Sequence, residues 1–277
     1  MELIDICFNF THKSFRKDEA EVIRRAVRAG VSTMIVTGSS VPESARGLEL
    51  AAHYPDHLFA TVGVHPHLAR TWEPEASAEA LRELAADPKV CAIGEMGLDY
   101  NRNYSEPADQ RRAFEAQLAL AIELGLPAFL HQRDAHEDFL AMLKAARPEL
   151  VDAVVHCFTG HGAELDAYLA LDCHIGITGW ICDERRGAHL RELVTHIPHE
   201  RLMVETDAPY LLPRDLEPRP RERRNEPAFL PHILRAVACH RAQDPAELAR
   251  LTTANACRFF RIPADGHAPC RPVDSRR

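Results

Sequence analysis

The sequence predicts an α/β fold, a closed (β/α)8 or TIM barrel, on three observations. Eight short β-branched runs alternate with amphipathic helical stretches along the chain. Most of the runs are nearly continuously apolar, which strands covered on both faces require. Metal-capable side chains stand at the ends of five of them, where the strands of such a barrel open onto one face. Length agrees, because 277 residues hold one barrel of roughly 250 residues with little left over. An open doubly wound sheet is the alternative, but no G-x-G-x-x-G follows the first run.

In order, strands are expected at Leu3–Phe10, Thr33–Gly38, Leu58–His65, Val90–Asp99, Pro127–Gln132, Ala153–Thr159, Cys173–Gly179 and Leu202–Pro209. Alternation with helices at this spacing implies parallel pairing through right-handed crossovers. After Pro107, Phe114, Leu118 and Ile122 recur every four residues and make one apolar helical stripe. Ser40-Val41-Pro42-Glu43 has the form of a capping box with proline in the first turn. Asp244-Pro245-Ala246-Glu247 repeats that signal and opens a last helix through Phe259-Phe260. A single domain is expected over residues 1–262, with 263–277 a disordered tail because periodicity stops there.

Composition narrows the class. The formal charge of -8 argues against a general polyanion binder, since phosphate affinity comes from surplus Lys and Arg. Bound cations and a local arginine cluster can still supply a positive field where it is needed. No apolar run approaches the roughly 18 residues of a membrane span, and Met1-Glu2-Leu3-Ile4-Asp5 lacks a signal-peptide core. The eight cysteines are scattered without C-x-x-C spacing, which fits packing thiols in a reducing compartment. A cytoplasmic monomer with no membrane contact is expected.

The chemistry is carried by where potential ligands fall. His65 ends the third run and is followed by Pro66-His67; Glu95 lies near the end of the fourth, in Gly94-Glu95-Met96-Gly97-Leu98-Asp99. His131, His156 and Asp207 end the fifth, sixth and eighth. A lone histidine in an apolar strand is ordinarily a core residue, and an acid after a strand is ordinarily a helix cap. Five such groups at matching depths would be costly to bury unless something paired them. A divalent metal, one ion or two, is the economical partner. The mixed imidazole and carboxylate set suits Zn or Mn by softness, and Mg2+ when water completes the shell. Two ions about 4 Å apart would activate water and polarise a phosphoryl oxygen. Glu95 is the candidate bridge, and Asp207 the ligand that also takes the water's proton.

These blocks resemble the signature of the TatD-type deoxyribonucleases: His65-Pro66-His67, Gly94 to Asp99, His131-Gln132-Arg133-Asp134-Ala135, His156-Cys157-Phe158-Thr159-Gly160, Glu205-Thr206-Asp207-Ala208-Pro209-Tyr210 and Arg224-Asn225-Glu226-Pro227. They stand in order across nearly the whole chain, and Gly179 to Gly187 adds another. The resemblance implies a TIM-barrel metal-dependent hydrolase of the amidohydrolase type. It also implies a Mg2+-dependent 3′–5′ exonuclease of single-stranded DNA and RNA ends, serving repair of oxidatively damaged DNA. By position, Glu95, His131, His156 and Asp207 would hold metal, with Glu95, Asp207 and His65 catalytic. Many relatives place Asp-x-His-x-His on the first strand; here the run is Asp5-Ile6-Cys7-Phe8-Asn9. One metal position is therefore weakly held, as in the branch of the family that shares this departure.

Substrate contacts are expected from His67, Arg133, Arg185, Arg186, Arg224 and Glu226. Arg214, Arg219, Arg221, Arg223 and Arg224 cluster against Asp215, Glu217 and Glu222 after the eighth run, either as a phosphate-gripping loop or as a solvated one. Arg133 either neutralises a leaving group or pairs with Asp134. Trp180 and Tyr210 either stack a terminal base or, the favoured reading, pack inside. His12, His53, His57, His189 and His232 are assigned to the surface or to structure. Two rival functions stay open. A hydrolase of a small amide, lactone or phosphotriester is disfavoured by Glu95, where many such barrels carry a lysine. An inactive nucleic-acid-binding barrel predicts no effect of removing Glu95.

Overall fold

The computed structural model describes residues 2–220 and 222–263. Eight parallel strands form one sheet in sequential order: β1 (Leu3–Phe8), β2 (Val31–Val36), β3 (Leu58–Val62), β4 (Val90–Asp99), β5 (Ala128–Arg133), β6 (Ala153–Val155), β7 (His174–Ile177) and β8 (Leu202–Val204). The sheet closes at the β8–β1 seam. There Phe8 bridges Ala208, the Asp207 N–H donates to the Cys7 carbonyl, and the Asn9 N–H donates to that of Ala208.

Helices cover the outside: α1 (Glu19–Arg28), α2 (Val41–His53), α3 (Pro74–Ala85), α4 (Pro107–Leu124), α5 (His136–Ala146), α6 (Gly162–Ala170), α7 (Ala188–Leu193), α8 (Leu230–His240) and α9 (Pro245–Phe260). Two start where sequence signals place them. Ser40 Oγ accepts the Glu43 N–H of α2, and Asp244 Oδ1 accepts those of Ala246 and Glu247 in α9. On α4, Phe114 and Leu118 are buried and Ile122 packs at the edge of the same core.

A separate apolar cluster fills the barrel itself. Ile4 and Ile6, Ile35, Phe59, Cys91, Phe129, Val154 and Met203 come from seven strands and meet Phe259 and Phe260 of α9. Phe129 lies 6.3 Å from Phe260 and stacks on His156 at 4.8 Å. It therefore separates an apolar plug from a polar mouth. Cys7, Cys91, Cys173 and Cys182 are buried, as packing thiols would be, whereas Cys239 is exposed. Cys270, Arg221 and, Pro263 apart, the expected tail lie outside the described residues.

Several strands are shorter than expected. The third, sixth and eighth stop at Val62, Val155 and Val204, so His65, His156 and Asp207 lie in the turns just beyond. Pairing ends there because the chain must splay outward to start the next crossover. The backbone turns sharply at Cys157 (φ 46°) and Asp207 (φ 54°), the left-handed region that Asp tolerates better than most residues.

β4 is the exception, with ten consecutive buried residues. It runs deep into the mouth because glycines let it. At Gly97 (φ 144°) an added Cβ would fall 1.9 Å from the His131 carbonyl oxygen. At Gly63, on the other flank, it would fall 2.5 Å from the Gly94 carbonyl carbon. We expect Gly97→Ala to destabilise the fold by at least about 2 kcal/mol, from strained φ and a displaced β5. Denaturant unfolding followed by circular dichroism checks this.

Candidate metal centre and active site

Alternation along a strand decides which side chains share the mouth. Glu95, Gly97 and Asp99 are two apart on β4 and so project to one side. Register then sets Gly97 beside His131 and Asp99 beside Arg133. The result is a buried carboxylate ringed by imidazoles. Glu95 Oε1 lies 2.7 Å from His156 Nε2, 2.9 Å from His131 Nδ1 and 3.2 Å from His65 Nε2. Glu95 and His156 are 4% and 3% exposed, so these groups are cut off from water.

The outer nitrogens tell the three imidazoles apart. His156 Nδ1 faces Glu205 Oε2 at 3.3 Å, and His131 Nε2 faces Asp99 Oδ2 at 3.3 Å. Each outer carboxylate takes an N–H, so once the inner nitrogen gives up its hydrogen its lone pair faces a cation, the arrangement typical of metal-binding histidine. His65 is the reverse. Its Nδ1 accepts the His67 N–H at 3.0 Å, so the hydrogen-bond network assigns its proton to Nε2. His131 and His156 are thereby fitted to hold an ion, and His65 to donate a hydrogen bond.

Charge describes the site before a cation enters it. Burial pushes the Glu95 carboxyl up, but the imidazoles of His65 and His156 outweigh it and hold it well below the usual range. Burial lowers His65 to about 4, only partly offset by Glu95. Burial lowers His156, but Glu95 and Glu205 outweigh it and raise it well above the usual histidine value, so both its nitrogens carry hydrogen until a cation displaces the inner one. The donor set, one anionic oxygen with two oriented imidazoles, fits a divalent cation.

Asp207 lines the same cleft as Glu95, His65, His131 and His156, a cavity of about 1150 Å³. Burial, with Glu95 and Glu205 nearby, pushes its carboxyl up to about 7 despite His156. Asn9 Nδ2 donates to its Oδ1 at 2.8 Å, and the Cys7 thiol points at the same oxygen from 3.5 Å. Beneath it, Asp5 accepts the Thr206 N–H at 2.9 Å and the Thr206 hydroxyl. The first strand, without histidines, thus carries supports for Asp207.

The expected substrate residues divide. His67, Arg133 and Arg186 line the cleft. His67 Nε2 is held 2.7 Å from Asp99, and the guanidinium carbons of Arg186 and Arg133 lie 4.5 and 5.3 Å from the Trp180 ring centre. Arg133 also approaches Asp134, at 3.8 Å. Arg185 lines a neighbouring hollow instead. Arg224 and Glu226 do not line the cleft. Arg224 Nη1 and Nη2 donate to Asp18 at 2.8 and 2.6 Å, and Nη2 also donates to Glu226 at 2.7 Å, which is shared with Arg25. Those donors are committed to carboxylates of α1 and its surroundings, so the phosphate-gripping expectation is corrected for this pair. Both Trp180 and Tyr210 line the cleft; Trp180 is half-buried and packs against the core, whereas Tyr210 is 51% exposed, which corrects the packing expectation for Tyr210.

Sequence reasoning missed Asp99, Glu205, Asn9, Arg102 and the part played by Arg223. Period-two spacing from Glu95 and Asp207 was a usable signal for Asp99 and Glu205. Arg102 and Arg223 line the cleft from loops, for which no periodicity speaks.

Comparisons with known proteins decide the family. The model of the family described as TatD related DNase matches residues 4–261. This chain belongs to that family. A relative in Erwinia tasmaniensis named "3'-5' ssDNA/RNA exonuclease TatD" is 57% identical over 228 residues, covering 82% of this chain and 88% of its own. One of the same name in Klebsiella pneumoniae is 56% identical, covering 82% and 86%. Among solved structures, a TatD family hydrolase from Entamoeba histolytica superposes with TM-score 0.86 at 26% identity, over 94% of this chain and 98% of the other. YjjV, a TatD homologue from Escherichia coli, gives 0.84 at 30%, with the same coverage. The fold is thus a TatD-type metal-dependent hydrolase barrel.

Within this TatD-family chain, the Arg224 cluster has a stability signature. The Arg224 hydrogen bonds hold Asp18 below its usual range. A depressed carboxyl stabilises above its unfolded value, about pH 4, and that contribution is lost as pH falls through the folded value. We expect Asp18→Asn to cost about 1–2 kcal/mol at pH 7. The gap to the parent should narrow below about pH 4, as read by denaturant unfolding across pH.

Proposed function

We propose that this chain hydrolyses single-stranded DNA and RNA from the 3′ end, releasing mononucleotides. One observation carries the reading: Glu95, His131, His156 and Asp207 line a single cleft whose wall also bears Arg102, Arg133, Arg186 and Arg223. Anion-binding arginines around a cation-binding floor suit a phosphodiester. The names borne by curated relatives at 54–57% identity support the same substrate and polarity. The cleft of about 1150 Å³ exceeds an ordinary small-ligand pocket, which favours a polymer over a small amide, lactone or phosphotriester.

Glu95, His131, His156 and Asp207 would hold the metal, with Mg2+ the expected ion and Mn2+ or Zn2+ alternatives. A bound divalent ion supplies Lewis acidity at a phosphoryl oxygen and lowers the pKa of attacking water. Asp207, fixed by Asn9, is placed to take the water's proton. The Nε2 hydrogen of neutral His65, which meets Glu95, would turn to a phosphate oxygen once Glu95 holds the ion. Arg133 and Arg186 flank Trp180, and with exposed Tyr210 they offer stacking faces to the terminal bases. Catalysis by a monomer in the cytoplasm, and a contribution to repair of oxidatively damaged DNA, belong to this reading. Among the described residues no helix is long and apolar enough to cross a membrane.

The test is digestion of 5′-labelled single-stranded DNA with Mg2+, Mn2+ or chelator. We expect a ladder that descends from full length and vanishes with chelator. Immediate release of a labelled mononucleotide would reverse the polarity, and an intact oligonucleotide in every metal would reject the nuclease. Glu95→Gln and Asp207→Asn should each lose at least roughly 10²-fold in turnover; full activity in Glu95→Gln would contradict the metal centre.

Salt separates the two neighbouring arginines. If Arg223 meets a phosphate, Arg223→Ala should flatten the slope of log affinity against log salt by about 0.7 for a single strand. Arg224→Ala, which removes only protein-facing contacts, should leave the slope unchanged. Binding is measured by fluorescence anisotropy with Ca2+ in place of Mg2+.

A further inference from the structure

Outside the cleft, one group of metal-capable side chains takes no part in the chemistry above. Cys182 ends the 3₁₀ turn Gly179–Cys182 after β7, Asp215 lies in the loop after β8, and His232 is in the first turn of α8. One ligand atom from each lies within 4.8 Å of the others. The thiol is 2% exposed, whereas the Asp215 and His232 side chains reach solvent. Cys182 therefore forms a floor and the other two a rim. Cys182 and Asp215 also line the hollow of about 740 Å³ beside the cleft, which gives an ion a way in.

A cysteine that only packs needs apolar neighbours. This one lies beneath a carboxylate and an imidazole whose Oδ1 and Nε2 are 2.7 Å apart. Burial and the Asp215 charge push its thiol up to about 12, so without a cation it keeps its proton. Thiolate, imidazole and carboxylate together suit a borderline-soft ion rather than Mg2+. Three separate segments supply the three groups, and one of them, the loop after β8, has no strand or helix among its described residues from 211 to 226 yet brings Arg223 to the cleft.

The geometry points to a second cation site, formed by Cys182, Asp215 and His232, that takes a zinc-class divalent ion and clamps the loop after β8 to β7 and α8. The site does not depend on the nuclease reading. On binding, the Cys182 proton leaves to solvent. Thiolate, imidazole and carboxylate fill three of four tetrahedral positions, and water fills the fourth. The hydrogen bond between His232 and Asp215 gives way, its two atoms separating by about half an ångström to sit about 2 Å from the ion. Asp215, on an exposed loop, has room for that shift.

Co2+ is the probe, because thiolate coordination adds a charge-transfer band in the near ultraviolet that nitrogen and oxygen ligands do not give. Full-length protein stripped by chelator is titrated with Co2+ in excess Mg2+. We expect a thiolate band that saturates at one equivalent and is displaced by Zn2+. Cys182→Ser should abolish it, and His232→Ala should weaken the Co2+ affinity at least about tenfold, while Cys7→Ser keeps it. Zn2+ should also slow tryptic cutting at Arg214 in the parent but not in His232→Ala. Absence of the band in folded parent protein overturns the proposal, as does a band that survives both Cys182→Ser and His232→Ala, or one lost in Cys7→Ser. Should Cys182→Ser fail to fold, His232→Ala decides, since its partly exposed side chain can be removed without opening the core.

Discussion

The carboxylate of Glu95 is the interaction on which the rest of the molecule depends. It is an anion withdrawn from water, a costly state unless oppositely polarised groups surround it. Three imidazoles from three other segments do so, and two of them are held by carboxylates of their own, Asp99 and Glu205. Meeting this demand requires that distant turns converge within a hydrogen bond's length. The closed barrel achieves that by bringing all its strand ends to one rim.

Room for this convergence comes from absent side chains. Gly94 and Gly97 let β4 pass close to β5, and at Gly176 a Cβ would fall 2.5 Å from Glu205 Oε1. The same glycines that would weaken an ordinary strand here allow carboxylates to reach the centre. Phe129 then closes the floor by stacking on His156, so the polar mouth sits directly on an apolar plug.

The seam between β8 and β1 is the other decisive place. Asp5 and Cys7 of β1, and Asn9 just beyond it, stand there. Asp5 ties down Thr206, and Asn9 fixes an oxygen of Asp207. This part of the chain supports one carboxylate, which burial beside Glu95 and Glu205 keeps raised. Around the rim, arginines divide by partner. Arg224 is paired with Asp18 and Glu226 away from the cleft, whereas Arg133 and Arg186, each beside an acid of its own, lie against the Trp180 ring on the cleft wall.

By itself the sequence determined the strand–helix alternation and the identity of the residues at the mouth. Apolar periodicity is a local property, and β4 was legible to the residue for that reason. It also carried Glu95, His131, His156 and Asp207, because strand ends in a barrel share a face. Only the tertiary structure decided that His65 donates while His131 and His156 can ligate, since the proton's position depends on what each outer nitrogen meets. Only it turned Arg224 and Glu226 away from substrate, because Asp18 lies some two hundred residues earlier. It alone exposed Tyr210 and brought Cys182 to Asp215 and His232. Periodicity along the chain fixes which way a side chain faces; closure in space decides what it meets.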